Sequence, residues 1–413
     1  MKRFELRSVA EDAEGLFDRQ ERIAWWRQDI VRAARILVVG AGAIGNETLK
    51  NLVLLGFDRI LVLDFDVIAP SNLSRTLLFR RADQNKRKAP TAAQHAREMA
   101  LVDAARIHYR DADVVWDVGS GVFRRVDLVL GCLDNVEARL AVNRSCWLAN
   151  TPWIDAGIHG LSGHVSVYVP PATACYACNL TKQQRAAARH RYSCDDFKRQ
   201  AIAQDAVPTV QVASALASAI QVQEAVKLLC QSSTGTGHRI LFQGERNEFD
   251  LIALTRNPAC LAHVSHPAVT SLPLKSSCGL AEFLKYVSRP EASGPGAVLD
   301  FSGDRTFVLS GACRVCHRHV DYRRPMFRID EAETTCADCR ARGAAPEPDA
   351  TDRPVDKITM AEFSLDKTPG ALLGSSLHDL GVPPLHVLSV RDASGDYRYY
   401  ELAGDAAELF PGW

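Results

Sequence analysis

The sequence predicts an α/β protein: a Rossmann-like domain, then a cysteine-paired ribbon and a small α+β module. Three observations carry this. A glycine turn, Gly40-Ala41-Gly42-Ala43-Ile44-Gly45, lies between an apolar strand and a helical run. Two Cys-x-x-Cys pairs, Cys313/Cys316 and Cys336/Cys339, have 19 residues between them. Beyond residue 355 the pattern reads strand, helix, strand pair.

The organising stretch runs from Arg35 to Arg75. Ile36–Val39 is a short apolar strand, Glu47–Leu55 a helix closed by Gly56, and Arg59–Leu63 a second strand ending on Asp64-Phe65-Asp66. Strand, glycine turn, helix, strand and acid form the dinucleotide-fold fingerprint. Gly40 makes the tight turn, Gly42 lets phosphate approach the backbone, and Gly45 lets the helix pack closely. Free N–H groups at the helix start face an anion, and Asp64 is placed for a ribose hydroxyl. The turn alone also fits an NAD-dependent oxidoreductase. Arg75, Lys88 and Asp134 are not needed for hydride transfer, but they suit an enzyme that breaks ATP.

Composition narrows the class. The 413-residue chain has zero formal net charge and is 47% hydrophobic, enough for sizeable cores. Zero charge supplies no field for nucleic acid or an acidic membrane. No apolar run reaches the ~18 residues of a membrane span, and the charged N-terminus lacks a signal-peptide core. A cytoplasmic protein is expected. Its 12 cysteines then point to metal binding or catalysis rather than disulfides.

The chain in order opens with a helical arm over residues 11–34 carrying Asp18-Arg19-Gln20. Residues 83–105 read as helical, and Lys86, Arg87 or Lys88 is placed to reach a phosphate. Val126–Cys132 is a buried strand ending on Leu133-Asp134-Asn135, so Asp134 shares a sheet edge with Gly42 and Asp64. A carboxylate there suits Mg²⁺, which takes one or two carboxylates plus phosphates. Asp134 or Asn135 also suits a helix N-cap. Two strands within Trp153–Val169 precede Cys175-x-x-Cys178. Then come a polar, basic segment (179–207) holding Cys194, a helix over Val210–Leu229, strands near 239–243 and 249–252, and Cys260-x-x-His263. Cys132, Cys146 and Cys230 lie in apolar segments and read as core.

Taken together these motifs resemble the adenylating family of MoeB, ThiF and the ubiquitin-activating enzymes, over roughly residues 15–263. The resemblance rests on Asp18-Arg19-Gln20, the glycine turn, Asp64-Phe65-Asp66, Ser71-Asn72-Leu73-x-Arg75, Lys88-Ala89, Leu133-Asp134-Asn135 with Arg139 and Asn143, and Ala156-Gly157. Cys175-x-x-Cys178, Pro208-Thr209-Val210 and Gln223–Lys227 complete it. It implies a ThiF-type adenylation domain in which Asp64, with Asp66 beside it, holds the ribose. Asn72, Arg75 and Lys88 would hold phosphates and Asp134 Mg²⁺. Arg19 would reach the ATP site of a second subunit in a homodimer. The implied reaction is adenylation of the C-terminal glycine of a ubiquitin-like protein, with transfer to a conjugating enzyme after thioester formation on a cysteine. Cys194 is the expected acceptor. Its basic neighbours favour thiolate, while Asp195 and Asp196 oppose it. The family likeness extends to bacterial ubiquitin-like conjugation, some of it antiphage. Alternatives are a sulfur-carrier adenylyltransferase of the thiamine or molybdopterin type, and a non-catalytic scaffold. Two departures from the family pattern are Asn46 after the glycine turn and a histidine, His263, in the second knuckle.

Two structural Zn²⁺ sites are expected. Cys313, Cys316, Cys336 and Cys339 have zinc-ribbon spacing. Cys175, Cys178, Cys260 and His263 follow from the family position, with His266 as an alternative to His263. The expected divisions are 1–263 (adenylation), 264–345 (linker and ribbon) and 346–413 (α+β module).

Overall fold

The computed structural model describes residues 15–103, 105–181, 208–301, 305–329, 336–341 and 355–413, with Gln184 and Glu333. Its largest unit is an eight-stranded sheet: β1 (Arg35–Val39), β2 (Arg59–Leu63), β3 (Arg106–Arg110), β4 (Leu128–Gly131), β5 (Trp153–His159), β6 (Ser162–Tyr168), β7 (His238–Gln243) and β8 (Glu248–Ala253). The spatial order is β3-β2-β1-β4-β5-β6-β7-β8. β3 to β5 pair in parallel, and β5 to β8 form an antiparallel meander. The expected strands all form. β3 was not anticipated: Arg-Ile-His-Tyr-Arg carries only one fully buried side chain, Ile107, so an edge strand showed no apolar run.

Apart from the edge strand β3, the parallel strands are buried on both faces, as their near-continuous Val/Ile/Leu content requires. The helices around this sheet are α1 (Asp18–Glu21), α2 (Gln28–Ala33), α3 (Ala43–Leu54), α4 (Lys88–Met99), α5 (Ser120–Phe123), α6 (Val136–Ala149) and α7 (Gln211–Leu229), and one core unites alternate residues Ile36, Val38, Ile60 and Val62 with α3 and α7. The opposite face packs Leu37, Val39, Leu61 and Leu63 against Val142 and Cys146 of α6. This is the period-two alternation of strands. The helical arm is two short helices rather than one, and it is pinned where Gln20 and Gln28 each donate an amide to Leu55 O (3.1 and 3.0 Å). The helix after the glycine turn begins at Ala43, four residues before the sequence reading placed it.

Behind residue 263, strand pairing does not follow the expected boundary at 346. A five-stranded sheet joins β9 (Val269–Leu272), β10 (Val298–Asp300), β14 (Glu362–Phe363), β15 (Val387–Arg391) and β16 (Tyr397–Leu402). A three-stranded sheet joins β11 (Phe307–Cys313), β12 (His319–Pro325) and β13 (Val355–Met360). The ribbon hairpin β11–β12 thus takes its third strand from beyond the expected linker. An unpaired hairpin edge leaves backbone N–H and C=O groups open, and β13 satisfies them. The helix expected beyond residue 355, between the strand and the strand pair, is a single turn, Gly370–Leu373.

The C-terminal sheet docks on the unit built around the eight-stranded sheet. Leu385, Leu409 and Phe410 enter the core beside Phe123 and Val126. Buried Glu401 accepts from Arg124 Nε (3.0 Å) and from Arg125. Among the described residues no helix is long and apolar enough to cross a membrane.

Candidate functional site

The strand order reverses between β1 and β4, and ligands of open α/β sheets sit at that switch point beyond the carboxyl ends. A cleft of about 790 Å³ opens there. Gly40, Gly42, Asp64, Asp66, Asn72, Arg75, Lys88 and Asp134 line it. These are all but one of the residues expected to hold nucleotide; Gly45 lies behind the wall.

The glycine turn explains its own composition. Gly40 has φ +97°, and a Cβ there would fall 2.4 Å from Cys132 O. A Cβ on Gly45 would fall 2.0 Å from Gly40 O. Gly45 therefore closes the turn on itself, a different close approach from the helix–strand packing expected of it. Asn46 is fully buried and its amide donates to Ala41 O (2.7 Å) and Gly42 O (3.1 Å), while its Oδ1 accepts from Leu78 N (2.9 Å).

Asp64 accepts from Ala41 N (2.7 Å) through Oδ2 and from Asp66 N (2.8 Å) through Oδ1. Burial raises its pKa, and Lys88 opposes that. Of the three bases near residue 87, Lys86 pairs with Asp83 (2.9 Å) and Arg87 with Asp111 (2.6 Å). Lys88 alone of these lines the cleft, its Nζ 2.7 Å from Asp66 Oδ2. Asn72 accepts from Ala69 N (2.9 Å), and Arg75 donates to Ser71 O (3.1 Å).

Asp134 is exposed beyond β4 and accepts from Asn135 Nδ2 (3.2 Å). Asn135 is the N-cap of α6, its Oδ1 accepting from Ala138 N (2.8 Å). The two roles weighed for this dipeptide are thus divided between its residues. An exposed carboxylate facing a roomy cleft fits a Mg²⁺ ligand. Arg19 is exposed on α1 and does not line the cleft. Cys194 lies outside the described residues.

Two cleft residues, Asp113 and His164, and the buried Asp155 behind His164 escaped the sequence reading. Asp113 follows the unrecognised strand β3; burial raises its pKa to about 6, with Asp117 and Asp66 adding to the effect of burial and a bond from Val115 N (2.9 Å) opposing it. Asp155 sits inside β5, fully buried, where Arg139 Nε donates to Oδ1 (2.9 Å). Burial would raise its pKa, but Arg139 and His164 hold the carboxyl below its ordinary value. His164 of β6 lines the cleft, with Nε2 3.5 Å from Asp155 Oδ2. The available signal was an acid within an otherwise apolar strand.

Away from the cleft, two ligand clusters form. Cys175, Cys178, Cys260 and His263 bring their ligand atoms within 4.8 Å of one another, as do Cys313, Cys316, Cys336 and Cys339. Sulfur separations are 3.6 Å (Cys175–Cys178), 3.7 Å (Cys175–Cys260), 3.7 Å (Cys313–Cys339) and 3.5 Å (Cys316–Cys336). A tetrahedron with Zn–S bonds of about 2.3 Å has edges of about 3.8 Å, so both clusters fit zinc. His263 Nε2 lies 3.1 Å from Cys178 Sγ, and its ring stacks on Trp147 at 4.2 Å. His266 instead packs on Tyr399 at 4.5 Å. Cys132, Cys146 and Cys230 are buried as expected, and burial pushes the Cys132 thiol up to about 12.

A family model described as ThiF family matches residues 17–262. The chain belongs to the ThiF family. It is 41% identical over 150 residues to SUMO-activating enzyme subunit 2 of Dictyostelium discoideum, covering 36% of this chain and 22% of that protein. It is 36% identical over 165 residues to the NEDD8-activating enzyme E1 catalytic subunit of Caenorhabditis elegans, covering 37% of this chain and 38% of that one. The match thus spans well under half the length of either relative. The fold of this ThiF-family chain is also that of E. coli MccB: with the MccB–ATP crystal structure the TM-score is 0.51 at 19% identity, over 62% of this chain and 75% of the other.

Proposed function

We propose that the chain is an ATP-dependent adenylating enzyme acting on the C-terminal glycine carboxylate of a ubiquitin-like protein. The observation that carries this reading is the single cleft lined by Asp64, Asn72, Arg75, Lys88 and Asp134. Asp64 takes the ribose hydroxyls. Asn72, Arg75 and Lys88 take the phosphates, Lys88 turning from Asp66. Asp134 holds Mg²⁺, which when bound neutralises phosphate charge.

The incoming carboxylate is already an anion near neutral pH, so no general base is required. Its oxygen attacks the α-phosphorus, the bond to the β-phosphate breaks, and pyrophosphate leaves with the electron pair. The barrier is an anion approaching a polyanion. Arg75, Lys88 and Arg19 from a second copy of the chain supply positive charge where it is needed. Holding the tail in line supplies the entropic part. The Cys194 thiolate then attacks the acyl carbon, AMP leaves, and the thioester passes to a conjugating enzyme. The two zinc sites are structural, since four protein ligands leave no open position.

The test is ATP–pyrophosphate exchange with β-grasp proteins ending in glycine, followed by a non-reducing gel. A thiol-sensitive adduct on the wild type that is lost in Cys194→Ser is the expected result. Exchange without an adduct on the wild type would move the sulfur-carrier reading ahead. No exchange with any such protein would overturn the activation reading.

A further inference from the structure

The residues proposed for nucleotide follow β1, β2 and β4, and the same cleft is also walled by the β5–β6 hairpin, next in the sheet order, through Gly157, His159, Ser162 and His164, with Thr209 bridged to Gly160. His164 sits across from Gly157 in the hairpin register. A Cβ on Gly157 would fall 2.5 Å from His164 Cε1, so glycine is what lets the ring lie against the strand.

The ring's orientation is held from behind. Asp155 is fully buried, and its Oδ1 is taken by Arg139. Its Oδ2 has no hydrogen-bond partner among the described residues, and His164 Nε2 stands beside it at ion-pair distance, 3.5 Å. A buried carboxylate oxygen requires a donor, so the proton of a neutral imidazole belongs on Nε2. Nδ1 is then left with a lone pair. No hydrogen bond to Nδ1 occurs among the described residues, and the side chain is 28% exposed.

A glycine terminus has no side chain to recognise. Only its carboxylate and its peptide N–H and C=O groups can be read, and a buried N–H needs an acceptor. We infer that His164 is a positioning residue whose Nδ1 accepts the last peptide N–H of the incoming tail, with Asp155 fixing the tautomer. This rests on the activation reading above and deepens it: the substrate is a backbone-recognised tail, and an unsubstituted N–H at the final residue is required.

The experiment uses the full chain and a β-grasp protein that supports exchange, in its natural form and with the last amide N–H replaced by an ester oxygen. His164→Ala should raise KM for the protein about tenfold and leave KM for ATP within about twofold, as expected for one lost hydrogen bond. The ester should cost the wild type a similar factor and cost His164→Ala nothing more. His164→Gln, whose Oε1 can accept, should recover most of the loss. Equal ester penalties in wild type and His164→Ala would overturn the inference, as would a parallel rise in KM for ATP. Imidazole ¹⁵N NMR of the free protein supplies a substrate-independent arm. The Nε2–H tautomer is expected, with a change in Asp155→Asn, and a wild-type Nδ1–H tautomer would sink the proposal. Absence of exchange with every glycine-ending protein marks failure of the activation reading itself, and removes the inference with it.

Discussion

The side-chain amide of Asn46 lies 2.7 Å from the carbonyl of Ala41, inside the glycine turn. The same side chain accepts from Leu78 N at 2.9 Å. One buried residue therefore ties the turn to the segment carrying Asn72 and Arg75. Asn46→Ala leaves buried backbone groups without partners, at about 1–3 kcal/mol each. The expected outcome is a lower thermal midpoint together with weaker ATP binding, measured by melting with and without nucleotide. Unchanged melting would mean that the turn holds its shape without Asn46.

Lys88 Nζ rests on Asp66, whose side chain is 52% exposed, so losing the pair costs little stability. Lys88→Met should leave the melting temperature nearly unchanged and lower pyrophosphate exchange by about 10²–10³-fold, the scale of a lost transition-state donor.

Asp113 carries a pH signature. Its folded pKa is raised to about 6 from the ordinary 3.8, so the folded state keeps this proton to higher pH than the unfolded chain. The associated stability is full below about pH 4 and is lost as pH rises through about 6. Asp113→Asn should therefore be more stable than the wild type at pH 7.5, by about 1–2 kcal/mol after allowing for partial solvent exposure. The two should converge near pH 4. Melting curves at both pH values decide it.

Metal analysis should find two Zn²⁺ per chain, falling to one in Cys260→Ala. Retention of two ions in that variant would remove Cys260 from the ligand set. Chelation should lower the thermal midpoint, because ligand binding to the folded state is folding free energy.

A chain cut after His263 would bare the core positions that Leu385, Leu409 and Phe410 fill. Each buried apolar side chain of this size contributes about 1.5–3 kcal/mol. Such a fragment should be aggregation-prone or strongly destabilised, as read by size-exclusion chromatography. A stable, monodisperse fragment would show that the docked module is dispensable for folding.

The amino-acid sequence alone determined the parallel core, because runs such as Ile36–Val39 and Arg59–Leu63 carry their apolar pattern and turn residues locally. It also determined the cysteine spacings and which acids and bases stand at strand ends. It could not reveal β3, whose Ile107 is the only fully buried side chain of the strand. Only the tertiary structure decided that Lys86 and Arg87 are taken up by Asp83 and Asp111, that His263 rather than His266 joins the thiols, and that β13 completes the ribbon. It also decided the pairing of Asp155 with His164. Each of these choices depends on which groups long-range packing brings within about 3–4 Å, and hydrogen bonds and ion pairs operate only at that range.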